Sequence, residues 1–423
     1  MHIVLYEDEG WENLQPLSLI RPVWELRCGI NTLLEKTRSL FPGLEFSFIC
    51  REYLAPLVKM QKAEATVNEF RHSDMLFLNA RVIWHDANIF QDLLANTEFL
   101  LKGKIVGGLI KGVLNVNAPD WNFDKVAVSI HKLFKFKERM CGLFYREVKA
   151  KMVEYPWDLV EFTGAEIAYD LKNITNLREL QPADFNKQGI YIVPGKGVYT
   201  DGEIKIAPGV VLDSSEGAVF LGDKVKIMPN AVIQGPAAIG RDSTIKIGAK
   251  IYGGTSIGPV CKIGGEVEAC VFQGYSNKQH EGFLGHSVIG EWCNFGAGSE
   301  NSDLKNNYTA VKVELNGKLV DSNLEKVGLF MGDHSKTAIN TTFNTGTVMG
   351  VGSMTLGAGF HHRNIPSFIW SDLDKKKLVP AKLKDTLETA KAVMKRRHRI
   401  MTAEEENILK HICENYSPSD KTK

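Results

Sequence analysis

LGDKVKIMPNAVIQGPAAIGRDSTIKIGAKIYGGTSIGPVCKIG, residues 221–264, has an aliphatic side chain at every sixth position: Leu221, Ile227, Ile233, Ile239, Ile245, Ile251, Ile257 and Ile263. Seven of these eight are isoleucine, and Leu221, Ile239, Ile257 and Ile263 are each followed by glycine. A helix returns its apolar face about every 3.6 residues and a strand about every two, so neither explains a strict six. That period marks a parallel β-helix, in which each hexapeptide is one short strand plus a turn. With three hexapeptides to a triangular coil, residues 18 apart stack. The expected interior ladders are Leu221–Ile239–Ile257, Ile227–Ile245–Ile263 and Ile233–Ile251. β-Branched side chains suit such ladders, and the glycines are expected to relieve corners that need positive φ.

Outward from this stretch the pattern loosens. Residues 190–213 read as an irregular lead-in. The period breaks across Glu266–Gly282, resumes at Ile289 and Phe295, stops at Ser299–Lys326, and returns at Met331, Thr337, Phe343 and Met349. Within the stop, VKVELNGKLV places Asn316-Gly317 between alternating residues, the signature of a hairpin with a type I′ turn. Insertions into a β-helix leave from corners and often line a binding face.

Upstream, His2–Tyr6, Glu45–Cys50 and Met75–Asn79 read as strands separated by helical stretches such as Ile30–Lys36. This is the order of an α/β domain with a mainly parallel sheet. Ligands bind such sheets at the C-terminal ends of strands, which directs attention to Glu7–Asn13, Arg21 and Asn79–Arg81. Trp157–Asp184 reads as a helical connector. Pro380–Arg399 reads as one C-terminal helix, and Thr402–Glu405 is a capping box opening another that runs to about Cys413. The expected domains are 1–185, 186–371 and 372–423. The basic run Lys395–Arg399 can touch a phosphate, but a solvated helix face is the plainer reading.

A net charge of +1 with 24% charged residues gives no electrostatic case for nucleic acid or a lipid surface. Seven scattered cysteines without a CxxC pair argue against a disulfide framework and a zinc site. The opening HIVLYEDEG has acidic residues where a signal peptide needs basic ones, and no apolar run reaches membrane-spanning length. A cytoplasmic protein without a membrane partner is the expectation.

A β-helix is a scaffold, so chemistry is expected where its repeat breaks. Gln279-His280-Glu281-Gly282 lies in the break, and His286 and NFGAG (294–298) follow. A histidine there can serve as a general base. Glu266, most of one coil earlier, is placed to orient it. On these features alone, a solvated corner histidine fits better. His334, His361 and His362 read as surface or turn residues.

The run NKQHEGFLGHSVIGEWCNFGAG…NNY resembles the acetyltransferase half of the GlmU family. That family acetylates glucosamine-1-phosphate and transfers a uridylyl group, making UDP-N-acetylglucosamine. His280, Phe283, Gly285, Ile289-Gly290, Asn294–Gly298 and Asn307-Tyr308 follow its pattern in order, the last pair after a short insertion. The N-terminal domain resembles a divergent sugar-nucleotidyltransferase domain through PLSLIRPVWELRCGI. The resemblance implies a left-handed β-helix, a homotrimer, and an acetyl-CoA site between adjacent subunits. It further implies His280 as the base deprotonating the sugar amine, Glu266 as its orienting partner, and Asn294, Asn307 and Tyr308 as sugar contacts. Lys250 falls close to a basic phosphate-binding position, with Lys246 and Lys262 nearby.

Two departures stand out in that half. The family's second basic phosphate residue is Glu268 here, which repels a phosphate. The family's tyrosine after the histidine is Phe283, keeping the ring without the hydroxyl. In the first domain EDEGWENLQPLSLIRP replaces the glycine-rich phosphate loop, and Arg21 can take the place of its lysine. The aspartate that holds Mg²⁺ in the family reads Ala80, between Asn79 and Arg81. Mg²⁺ prefers hard oxygen ligands, so Asp8 and Asp158 are the candidates, or Arg81 stands in for the metal's charge. Three functions remain open. The first is a bifunctional enzyme acting on sugar phosphate, acetyl-CoA and UTP. The second is an enzyme with only one active half or with another amino sugar, and the third is a non-enzymatic scaffold that binds nucleotide sugars.

Overall fold

The computed structural model describes residues 1–69, 74–93, 96–112, 143–185 and 189–418. The chain divides into two compact units: Met1–Leu14, Ile20–Leu26 and Thr32–Glu154 form the first, and Gln15–Leu19, Arg27–Asn31 and Tyr155–Lys423 the second.

The first unit is built on a seven-stranded sheet, ordered Thr66–Val67, Phe46–Ile49, His2–Tyr6, Met75–Asn79, Lys104–Ile110, Thr97–Leu101, Phe144–Glu147. The apolar runs HIVLY and MLFLN are buried throughout, as a sheet covered on both faces requires. Its first four strands are parallel, whereas Lys104–Ile110 runs antiparallel to both neighbours, so the sheet is mixed. The chain adds strands to one side of His2–Tyr6 and then returns to its other side with Met75–Asn79. That reversal is a topological switch point, where open α/β sheets place their ligand crevice, and there Tyr6 pairs with both Ile49 and Asn79.

The second unit is a β-helix. Leu221, Ile239 and Ile257 stack in register, as do Ile227, Ile245 and Ile263, and Ile233 with Ile251. The first ladder continues through Phe272, Ile289, Met331, Met349 and Ile365, forming one side of a continuous apolar interior. The irregular lead-in already forms a coil, pairing Tyr191–Val193 with Val211–Asp213 and Val198–Thr200 with Val219–Leu221. At the break the coil shortens, and Ile263 stacks on Lys278, 15 residues on rather than 18. The inserted strands Lys312–Leu315 and Lys318–Asp321 form the expected hairpin, with Asn316 (φ 52°) and Gly317 (φ 71°) at its turn.

The glycines after the aliphatic positions act differently from expectation. Gly222, Gly240 and Gly258 lack positive φ; a Cβ on each would meet the backbone of the next coil within 2.7 Å. Close stacking of coils therefore demands glycine there. The left-handed corner falls two residues later on Lys224, Asp242 and Val260, none of them glycine.

The helix Pro156–Asn173 packs on the longest face of the β-helix, with Ile167 against Phe220, Ala238 and Ile30. Its Asp170 carboxylate accepts from the Ile30 (2.9 Å) and Asn31 (3.1 Å) amides, and Ser256 donates to the Gly29 carbonyl at 2.6 Å. At the other end, Lys377–Pro380 is a strand, so the C-terminal helix is confined to Leu383–Lys395. The second helix, Ala403–Tyr416, carries its capping box at Thr402 and Glu405. Among the described residues no helix is long and apolar enough to cross a membrane. Among the described residues Cys28, Cys50, Cys261, Cys270, Cys293 and Cys413 form no disulfide, and Cys141 lies outside the described residues.

Candidate active sites

In the first unit the crevice residues are charged and buried. Glu7 accepts from the Val23 amide at 2.8 Å and from Arg51 Nε and Nη2 at 3.1 and 3.0 Å. Arg51 Nη2 also donates to the Arg21 carbonyl at 2.9 Å, and its guanidinium lies 4.0 Å from the Trp11 ring centroid. Burial opposes the charge on Arg51, but Glu7 outweighs it and holds the guanidinium more firmly protonated than usual.

Beside this pair, Arg81 grips Asp8 with two bonds of 2.6 Å, Nε to Oδ1 and Nη2 to Oδ2. Asn79 Nδ2 donates to Asp8 Oδ2 at 2.8 Å, and Arg81 Nη1 donates to the Val153 carbonyl at 3.1 Å. A Cβ on Gly10 would sit 2.2 Å from the guanidinium, so glycine makes room for it. The expected crevice residues Asp8, Arg21, Asn79 and Arg81 therefore gather in one unit, but Asp8 is spent on Arg81. Asp158 serves a different purpose, accepting from the Tyr155 amide at 2.9 Å as a helix cap. No group of three His, Cys, Asp or Glu suited to a metal occurs among the described residues. The donor set at Asp8 does not fit Mg²⁺, because a guanidinium and an amide already occupy its oxygens.

In the β-helix, Lys250, Glu266 and Phe283 stack in register on one outward column, while their neighbours Ile251, Val267 and Leu284 point inward. The period of two within each strand fixes this division. His280 is exposed on the corner that leads into this column. The Glu266 amide donates to the Gly282 carbonyl at 3.2 Å, and Lys250 lies 3.8 Å from Glu281. Asn294 lies on the face before the corner, bridged to Asn277 and Lys336. Asn307 and Tyr308 are exposed on the inserted segment, where Asn307 accepts from the Thr309 hydroxyl at 2.9 Å. One chain thus gathers Lys250, Glu266, Phe283 and His280 but leaves Asn294 and the Asn307-Tyr308 pair apart from them.

The sequence reading passed over Lys326 and Lys278 and gave His286, His334 and His361 no partners. Lys326, at the end of the insertion, reaches Glu268 at 3.4 Å and offsets its charge. His286 Nδ1 lies 2.7 Å from Asp303 Oδ2. Lys278 occupies an interior ladder position among polar neighbours, without any signal in the six-residue count. His334 and His361, read as surface residues, are buried: one is stacked near Trp292, the other 2.8 Å from the Ser371 hydroxyl. Burial pulls the His361 imidazole below its ordinary range.

Residues 3–179 match the sugar nucleotidyl transferase family. A bifunctional sugar-1-phosphate nucleotidylyltransferase/acetyltransferase of Sulfurisphaera tokodaii is 39% identical over 92 residues, covering 21% of this chain and 23% of that protein. The bifunctional protein GlmU of Methanocaldococcus jannaschii is 33% identical over 116 residues, covering 27% and 26%. An uncharacterized acetyltransferase of Escherichia coli, YaiX, is 27% identical over 170 residues, covering 40% of this chain and 74% of that one. The matched region spans about a quarter of the length of the first two relatives. The names of these relatives are those of transferases. The chain is thus similar, at modest identity, to GlmU-type proteins, and its residues 3–179 match the sugar nucleotidyl transferase family model.

Proposed function

We propose that the chain is a cytoplasmic bifunctional transferase of UDP-N-acetylglucosamine synthesis. The β-helix acetylates glucosamine-1-phosphate from acetyl-CoA, and the first unit joins the product to UMP from UTP. The observation that carries the first half is the Lys250–Glu266–Phe283 column beside the exposed His280. His280 takes the proton from the sugar amine, whose nitrogen attacks the thioester carbonyl. A C–N bond forms, the C–S bond breaks, and the proton passes to the leaving thiolate. Lys250 holds the sugar phosphate, Glu266 orients the imidazole, and Phe283 supplies an apolar wall. Asn294 lies across the corner from this column, which supports a homotrimer in which a neighbouring subunit completes the site. Release of coenzyme A from acetyl-CoA and glucosamine-1-phosphate tests this half. His280→Ala should lower kcat by about 10²–10⁴-fold. A folded wild type without turnover on this pair would remove the substrate assignment.

In the first unit, Arg81 and Arg21 take the role of phosphate-binding cations in the crevice. A second reading is favoured by Ala80 and by the closed Asp8–Arg81 pair: this unit binds a nucleotide sugar without turnover. Pyrophosphate release from UTP and N-acetylglucosamine-1-phosphate distinguishes the two. Binding by calorimetry with no pyrophosphate establishes the second.

A further inference from the structure

Lys278 occupies the interior position that isoleucine holds in the preceding coils: Ile227, Ile245 and Ile263 stack above it in register. Its residue is 2% exposed. An ammonium in such an interior needs partners, since an unpaired buried charge is costly. Here all three N–H groups find carbonyls: Gly264 at 3.2 Å, His280 at 3.1 Å and Gly282 at 2.5 Å. Space for the ammonium comes from Gly265, φ 69°, where a Cβ would stand 2.8 Å from Nζ. Two of the three carbonyls belong to the loop that presents His280. Glu281 between them is held by one further bond, from the Gly298 amide at 3.1 Å.

We propose that Lys278 is a positioning residue for His280, its buried ammonium clamping the 280–282 loop from inside the β-helix through three backbone carbonyls. This rests on His280 being the general base. The clamp depends on charge: a neutral amine has two N–H donors for three acceptors, and its lone pair faces the third oxygen. Burial pulls the Lys278 ammonium down to about 8; Glu281, Cys270 and Glu300 face it and oppose that shift, and Lys250 reinforces it. The loop is therefore held below pH 8 and loosens above it. The effect on stability has the opposite sign. The folded state holds this proton less tightly than the unfolded chain does. The cost of burying the charge is thus relieved as pH rises from about 8 towards 10.5, the ordinary lysine value.

The test compares full-length wild type with Lys278→Met by coenzyme A release from pH 6.5 to 10, alongside melting temperatures. The expected result is a kcat lower by about 10- to 100-fold, the scale of a small misplacement of a catalytic group, with KM little changed. The wild type should show an alkaline fall in kcat near pH 8 that the variant lacks. Over the same range the wild type's melting temperature should rise relative to the variant's. A purely structural clamp would move activity and stability together. Should methionine not be accepted, Lys278→Gln, which keeps two donors without the charge, carries the same comparison. A folded variant with wild-type kcat, or with the same alkaline fall, overturns the clamp while leaving His280 as base. Full turnover in His280→Ala overturns both.

Discussion

The two candidate sites manage charge in opposite ways. In the first unit two cations near the strand ends are committed: Arg51 to Glu7, with side chains 3% and 2% exposed, and Arg81 to Asp8, at 7% and 12%. At the β-helix corner the Lys250–Glu281 contact is 3.8 Å with side chains 47% and 75% exposed, and His280 stands in solvent. A pair sealed from water holds its own geometry, and a ligand must displace or join it. An open pair costs little to break, so a phosphate can take the lysine. The contrast separates strand ends whose ion pairs are sealed from a corner whose charges stand in solvent.

Breaking the sealed pairs should have the largest effect. Glu7→Ala strands the Arg51 charge and should cost about 3–5 kcal/mol, measured by urea denaturation. An unchanged midpoint would mean the pair is not sealed in solution. Asp8→Ala should cost about 2–4 kcal/mol by the same reasoning. It also frees Arg81, so UTP should bind more tightly by calorimetry if the crevice takes phosphates. Weaker binding would show that Asp8 itself touches the nucleotide. At the open corner, Lys250→Ala should leave stability within about 0.5 kcal/mol. It should raise KM for glucosamine-1-phosphate about tenfold, the equivalent of about 1.4 kcal/mol. Lys326→Ala, which removes an exposed partner from Glu268, should change stability by less than about 1 kcal/mol. If Glu268 faces the sugar phosphate, its KM should rise as well.

Much of the β-helix was legible because a six-residue period states directly which side chain points inward, as Ile245 between Ile227 and Ile263 shows. In the outward column Glu266 was readable from its place most of one coil before His280, but Lys250 only by resemblance, since it is a polar residue like any on that surface. The break in the period hid Lys278: three missing residues turn a run that looks solvated into one with an interior position. The crevice pairs were hidden for another reason. Glu7 and Arg51 are 44 residues apart and meet because their parallel strands end level, a pairing no local pattern announces. The glycines illustrate a third case. Their spacing was plain, but close approach between coils, not backbone angle, selects them.

Coils stack only on their neighbours, so a β-helix assembles as a zipper that propagates turn by turn. Each step up to Ile263 adds an oily side chain to the ladder, and the next must draw in an ammonium with its three carbonyls. That coil is expected to add more slowly at neutral pH than in alkali. Refolding followed by pulsed hydrogen exchange should therefore protect residues 219–263 as one block before the coils that follow. Simultaneous protection along the whole ladder would show that the buried charge sets no pause.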